Sequence, residues 1–174
     1  MSPQIIFQLE LVLGYIACLL CFRAYVFPRI KTMNRADAQR AIAALHSFRF
    51  FGLAFILPGV VGHNLPAGFA QSAAYGDFAT GLLAILALVT SRIRPLFWLS
   101  TVAFNVVGAA DLIVNYYHGA KLGLPALSGE LGAMYIVIII YVPVLMITHV
   151  IAFYSMLTRE SKTPRASALD VAAS

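Results

Sequence analysis

Apolar residues form five long runs along this chain, and stretches rich in polar residues, proline or glycine separate the runs. A helix needs about 20 mostly apolar residues to cross the hydrocarbon core of a bilayer. The five predicted spans are Ile5–Phe27, Ala41–Val61, Phe69–Thr90, Pro95–Tyr117 and Leu131–Leu157. The pattern therefore predicts an all-α fold, a polytopic membrane bundle of about five transmembrane helices.

Composition excludes a water-soluble domain. Hydrophobic residues make up 61% of the chain and charged residues only 11%, whereas soluble domains carry about 25% charged residues. The net charge of +5 does not indicate nucleic-acid binding, because the basic residues flank apolar runs and form no dense stripe. We expect a multi-pass protein of a bacterial-type inner membrane, with the lipid bilayer as its first partner.

The distribution of basic residues predicts the orientation of the bundle. If five spans alternate, nine loop residues fall on one side of the membrane and only Lys121 falls on the other. The nine are Arg29, Lys31, Arg35, Arg40, Arg92, Arg94, Arg159, Lys162 and Arg165. Cytoplasmic loops carry an excess of Lys and Arg, so we expect the N-terminus outside and the C-terminus in the cytoplasm.

The chain is expected to form a single transmembrane domain over 1–157, followed by a cytoplasmic tail. The tail, 158–174, is rich in Ser, Ala and charged residues. Such a composition cannot bury a core, so the tail is predicted to be disordered. Within the fifth span, Pro143 is expected to kink the helix and to free a backbone carbonyl.

Acidic residues in the outer halves of the spans are the first candidates for function, because ionisable groups are costly inside a membrane. Glu10, Asp77 and Asp111 lie at similar depth on three spans. Asn115 and His118 follow Asp111 at helical spacing and share its face. Three acids in a dry site must share protons, bind a cation or pair with a base. The set predicts a site for protons, a cation or an amine; the alternative is that Asp77 caps its helix and Glu10 reaches the headgroups.

A second group of polar residues lies nearer the cytoplasmic side. His46 and Arg49 share one face of the second span, Asn105 lies near the level of Arg49, and His149 lies in the fifth span. Arg49 cannot lose its charge, so it needs a partner, water or an anionic ligand. We expect a tie from Arg49 to Asp111 or to Asn105, with a role in ligand binding as the alternative.

The two histidines also permit a redox interpretation. His46 and His149 lie at similar depth on different helices, and a haem b iron can be held by one histidine from each of two helices. Ser47 and Thr148 are adjacent to these histidines and offer ordinary hydrogen-bond partners instead. Haem b is therefore an alternative cofactor hypothesis.

Three function classes remain open from the sequence. The first is a protein that binds, transports or senses a small ligand, a cation or protons. The second is a haem-binding redox subunit. The third is a non-catalytic partner of a membrane complex or a homo-oligomer, since small-residue faces such as the one containing Gly14 allow close helix packing in lipid. No nucleophile and base occur at a fixed spacing that would indicate an enzyme.

Overall fold

The computed structural model describes residues 1–158, and every regular element in that part of the chain is helical. Apart from Thr158, the predicted tail lies outside the described residues. Five helical segments follow one another: α1 Pro3–Thr32, α2 Arg35–His46 with its 3₁₀ continuation Ser47–Ile56, α3 Ala67–Val89, α4 Arg94–Lys121 and α5 Met134–Leu157. A 3₁₀ segment, Leu124–Leu131, connects α4 to α5.

Four of these segments, α1, α3, α4 and α5, are long and apolar enough to cross a membrane. The second predicted span differs from the others. Its α-helical part has 12 residues and its 3₁₀ part has 10, so neither part alone has the length of a spanning α-helix. Its helix also begins earlier than the apolar run does, because Asn34 caps it by accepting a hydrogen bond from the Asp37 backbone N–H.

Two π-helical turns precede two prolines inside the long helices. Phe22–Val26 comes just before Pro28, and Val137–Tyr141 comes just before Pro143. Proline lacks an N–H and its ring excludes the carbonyl four residues earlier, and in both cases that carbonyl lies within the π turn. The wider turn lets the helix continue, so α1 runs past Pro28, where the apolar pattern placed a break.

The carbonyl four residues before Pro143 belongs to Ile139, and it lies at a close approach of the α1 and α5 backbones. Gly14 of α1 lies directly against the Ile139 carbonyl oxygen, where any Cβ at position 14 would collide with that oxygen. Proline and glycine thus act together. Pro143 has no N–H to donate to the Ile139 carbonyl, and Gly14 allows the α1 backbone to approach that carbonyl.

The helices pack with α3 against both α2 and α4, and α5 completes the bundle against α2 and α4. α1 lies at the edge, where it packs on α5 and on the Leu124–Leu131 segment. Two apolar clusters fill the interior. One includes Phe55, Phe69 and Leu131, and the other includes Phe97 and Phe104. Buried polar side chains lie between the two clusters.

We predict that Gly14→Ala destabilises the fold by about 1–3 kcal/mol, because the added methyl group forces α1 away from α5. Thermal unfolding in detergent, followed by circular dichroism, measures the effect. Gly68→Ala is the matched control, because no atom lies within 4 Å of a Cβ at that position. Equal unfolding temperatures for the two variants would show that the Gly14 contact does not limit the packing of α1.

Candidate functional site

Arg49 is a fully buried cation near the middle of the bundle. It lies in the 3₁₀ segment, whose buried positions recur every three residues. The column consists of His46, Arg49, Gly52 and Phe55. A 3₁₀ helix has three residues per turn, so this geometry places all four on one face, directed at α3 and the bundle interior.

The guanidinium of Arg49 joins three helices. Its Nε donates to Oδ1 of Asp77 on α3 at 2.6 Å, and its Nη2 donates to Oδ2 of Asp111 on α4 at 2.6 Å. Of the two expected partners, Asp111 is present as an ion pair, and Asp77 is an additional one. One guanidinium and two ionised carboxylates carry a net charge of −1.

Glycines make room for these charged groups. A Cβ at Gly52 would collide with Asp77, and a Cβ at Gly76 would collide with Asp111. A Cβ at Gly108 would come within 2.6 Å of Arg49 Nη1. Each carboxylate therefore lies where a neighbouring helix has no side chain, which explains why three charges fit between closely packed backbones.

On its other side, Arg49 contacts the inner polar residues. Nη1 donates to the Gly108 carbonyl at 3.3 Å and lies 3.5 Å from Nε2 of His149. Asn105 donates through Nδ2 to the Thr101 carbonyl, so its Oδ1 accepts from His149 Nδ1 at 3.0 Å. In this arrangement His149 donates through Nδ1 and its Nε2 faces Arg49 Nη1. The outer and inner polar layers are thus connected through Arg49.

His46 lies in the same inner layer and completes it toward α5. Its Nε2 lies 2.9 Å from Thr148 Oγ1, and its ring centroid is 4.2 Å from that of His149. A bis-histidine haem requires the porphyrin plane between the two imidazoles, and rings in van der Waals contact leave no such gap. The residues do not fit haem b. Within residues 1–158, no group of three or more His, Cys, Asp or Glu side chains could hold a metal ion.

Further inward, the polar column continues between α2 and α5. The buried Gln39 donates through Nε2 to the Ala152 carbonyl at 3.0 Å and to Ser155 Oγ at 2.7 Å. Tyr141 donates to the Leu45 carbonyl at 2.8 Å, close to the point where α2 changes to 3₁₀ geometry. The Gln39 bonds tie α2 to α5 on the inner side of the histidine pair, and Tyr141, whose ring packs on Phe51, ties the same two helices on the opposite side.

The outer candidates do not all come together. Asn115 donates to Asp111 Oδ1 at 2.8 Å and belongs to the Arg49 site. Glu10 instead accepts a hydrogen bond from Tyr135 of α5 and makes none with Asp77 or Asp111. His118 is exposed and lies beside Tyr117. The expected cluster of three acids is therefore two acids around an arginine, because similar depth on a helix does not determine the direction in which a side chain points.

An apolar cavity of about 270 Å³ adjoins the carboxylates of Asp77 and Asp111, on the side of the bundle away from His149. Asp77, Asp111 and Asn115 form its polar end. Its walls come from α1, the 3₁₀ part of α2, α3, α4, α5 and the Leu124–Leu131 segment, and include Phe7, Leu11, Phe55, Phe69, Ile138 and Leu124. Gln8 and Tyr116 also line it. The sequence pattern did not single out these last two, since one uncharged polar residue and a tyrosine near a span end carry no specific signal.

Comparison with known proteins gives a family but no activity. A family model described as "Domain of unknown function (DUF8737)" matches residues 6–157. No curated protein and no solved structure matches the chain.

We predict that Arg49→Met lowers the free energy of unfolding by about 3–5 kcal/mol, because it leaves two buried carboxylates without a cation. Asp111→Asn should cost less, since Asp77 still pairs with Arg49. The triple variant Arg49→Met/Asp77→Leu/Asp111→Leu should regain much of the loss. Unfolding in mixed detergent–SDS micelles measures these differences.

Asp37→Asn is the control for that series, because Asp37 pairs with Arg40 where both side chains are nearly half exposed, at 49% and 43%. An exposed pair contributes at most about 1 kcal/mol. If Arg49→Met were no more destabilising than Asp37→Asn, the central ion pairs would not hold the bundle together.

Proposed function

The chain belongs to this family of unknown function, and we propose that it is a multi-pass membrane protein that binds a small organic cation in the outer cavity. The observation that carries the proposal is that two buried carboxyl groups share one guanidinium at the end of an apolar cavity. The ligand class that suits it is a protonated amine with an apolar body.

The charge balance of the site favours a cationic ligand. Asp77 and Asp111 are only 15% and 8% exposed, and together they face the single charge of Arg49. An uncompensated buried charge is costly, so a proton or a bound cation offsets the excess. Asn115 Oδ1 is buried and has no hydrogen-bond partner among the described residues. Carboxylate and amide oxygens accept hydrogen bonds, which favours a ligand that donates them.

The walls of the cavity favour an apolar body on that ligand. Most lining residues are aliphatic or aromatic, and Phe7, Phe55 and Phe69 offer ring faces or edges. The volume, about 270 Å³, lies just below the usual range for ligand pockets, roughly 300–1,000 Å³. A small amine with one ring or a short alkyl group matches this size.

The position of Arg49 favours binding or sensing over simple passage. The cavity is lined by the two carboxylates but not by Arg49, which lies behind them. A cation that moved further inward would meet a guanidinium that keeps its charge at every accessible pH. Transport along this line would require Arg49 to move out of the column.

We further propose five crossings, with the N-terminus outside and the C-terminus in the cytoplasm. α2 and its 3₁₀ continuation together reach about 38 Å at roughly 1.5 Å and 2.0 Å per residue. A hydrocarbon core is about 30 Å thick, so the stretched 3₁₀ geometry lets the combined segment span it. Arg35, Arg40, Arg92 and Arg94 lie around one cavity at one end of the bundle, which agrees with the positive-inside rule.

We predict that reporter fusions after Met33 and Arg92 report the cytoplasm and that fusions after Asn64 and Gly123 report the outside. The fusion after Asn64 is decisive, because α2 and its 3₁₀ segment are the only helices between Met33 and Asn64. Identical signals from Met33 and Asn64 would mean that this segment does not cross.

We predict that 2-phenylethylammonium raises the unfolding temperature of the purified protein, that 2-phenylethanol does so less, and that 3-phenylpropionate does not. The three probes share an aromatic body and differ in charge, so the ranking isolates the electrostatic part of recognition. Asp111→Asn should weaken amine binding about tenfold or more, the usual contribution of a charge-assisted hydrogen bond. Thermal shift and calorimetric titration provide the affinities.

Glu10→Gln is the matched control, because it removes one acid at similar depth that does not line the cavity. It should leave amine affinity unchanged within about twofold. Equal affinity for the amine and the alcohol, or equal losses in Glu10→Gln and Asp111→Asn, would rule out a cation site at these carboxylates.

A further inference from the structure

A second cavity, of about 640 Å³, lies at the other end of the bundle between the start of α2, the start of α4 and the end of α5. We call it the basic pocket. Its charged lining residues are Arg35, Arg40, Arg92 and Arg94. The cation site proposed above makes no use of it.

The basic pocket has an excess of positive charge. Arg40 is partly neutralised, since its Nη1 pairs with Asp37 at 2.7 Å, and its Nη2 is anchored to the Ser91 carbonyl at 3.1 Å. Arg35, Arg92 and Arg94 make no ion pair with any described residue. Three guanidinium groups thus face one opening without a counter-charge from within residues 1–158.

The N-terminus of α4 adds to this positive potential, since α4 begins at Arg94, which lines the pocket. The N-terminus of α2 adds less, because Asn34 caps it and Asp37 lies in its first turn. Ile93, the N-cap of α4, provides no side-chain acceptor for the first backbone N–H groups. Free N–H groups and the helix dipole attract anions, and arginine pairs with phosphate through two parallel hydrogen bonds.

One side of the basic pocket is apolar. Phe97, Trp98, Val102 and Met156 line it beside the arginines, and Leu96 and Leu99 next to them are exposed. A phosphate group alone needs only the charged side. A molecule with a phosphate head and hydrocarbon chains contacts both, and tryptophan is enriched where headgroups meet the hydrocarbon core.

We propose that the basic pocket is a phosphate-binding site that holds the headgroup of an anionic phospholipid, with its acyl chains along Trp98 and the adjoining face of α4. The proposal needs only that this end of the bundle lies at a membrane surface. Failure of the amine site would leave it intact.

Trp98 is the single tryptophan of the chain, so its fluorescence reports on this pocket without a label. The full chain is placed in phosphatidylcholine nanodiscs that contain increasing fractions of phosphatidylglycerol with brominated acyl chains. Brominated phosphatidylcholine at equal fractions measures random collision. We expect brominated phosphatidylglycerol to quench Trp98 at a clearly lower mole fraction than brominated phosphatidylcholine does.

The double variant Arg92→Gln/Arg94→Gln should weaken this preference at least about thirtyfold, because it removes two charge-assisted hydrogen-bond donors to the phosphate. Arg29→Gln/Lys31→Gln is the matched control, since it removes the same charge from exposed positions outside the pocket. It should keep most of the preference. Equal losses in the two variants, or equal quenching by both lipids in the natural protein, would overturn the proposal.

Free inorganic phosphate is the other source of the same chemistry. Potassium phosphate is added to the nanodiscs and compared with potassium chloride of equal ionic strength. If the lipid occupies the site, phosphate at millimolar concentration should displace it no better than chloride does. Selective displacement by phosphate, with no preference for phosphatidylglycerol, would assign the pocket to a soluble anion and refute the lipid site.

Discussion

The ion pairs of one buried arginine determine how this bundle is assembled. A guanidinium remains charged inside the protein, so the helices around Arg49 must present acceptors at fixed positions. Its fork reaches Asp77 on α3 and Asp111 on α4, which sets the height of three helices relative to one another. The glycines that face the carboxylates and the narrow 3₁₀ geometry of the Arg49 segment both serve this requirement.

From this centre the polar groups extend in both directions. Outward, Asp111 is bonded to Asn115 at the edge of an apolar cavity. Inward, His149 and Asn105 continue the network. The polar layer separates two apolar clusters. The two sides of the bundle differ in charge, because two carboxyl groups border one cavity, whereas three arginines that pair with no acid within residues 1–158 border the other. Hydrophobic burial contributes little to specificity between helices in lipid, so such a layer is a reasonable source of a single packing arrangement.

The sequence predicted where the helices lie along the chain and how deep each polar residue lies within its helix. It predicted less well the direction in which each side chain points around the helix axis. The apolar runs located α1, α3, α4 and α5 to within a few residues. Depth alone offered Asp111 and Asn105 as partners of Arg49, and Asp111 is the one that pairs with it. Depth did not show that Asp77 points to Arg49 while Glu10 points to Tyr135, because rotation about the helix axis depends on packing. The spacing of His46 and Arg49 suits α and 3₁₀ geometry equally, so the change of helix type was not visible. The contact between the His46 and His149 rings, which leaves no room for a haem between them in this structure, also depends on packing alone.

The three-residue period of the 3₁₀ segment restricts which insertions and deletions the segment can accept. Three residues complete one turn and advance the helix by about 6 Å. A gain or loss of three residues between Ser47 and Ile56 returns every later side chain to its original face, whereas a change of four turns the rest by about a third of a revolution. In the α-helical spans, steps of three and four keep a similar face. The natural unit of insertion or deletion in this segment is therefore a triplet, and an alignment that assumes α-helical periodicity would misplace Gly52 and Phe55 relative to Arg49.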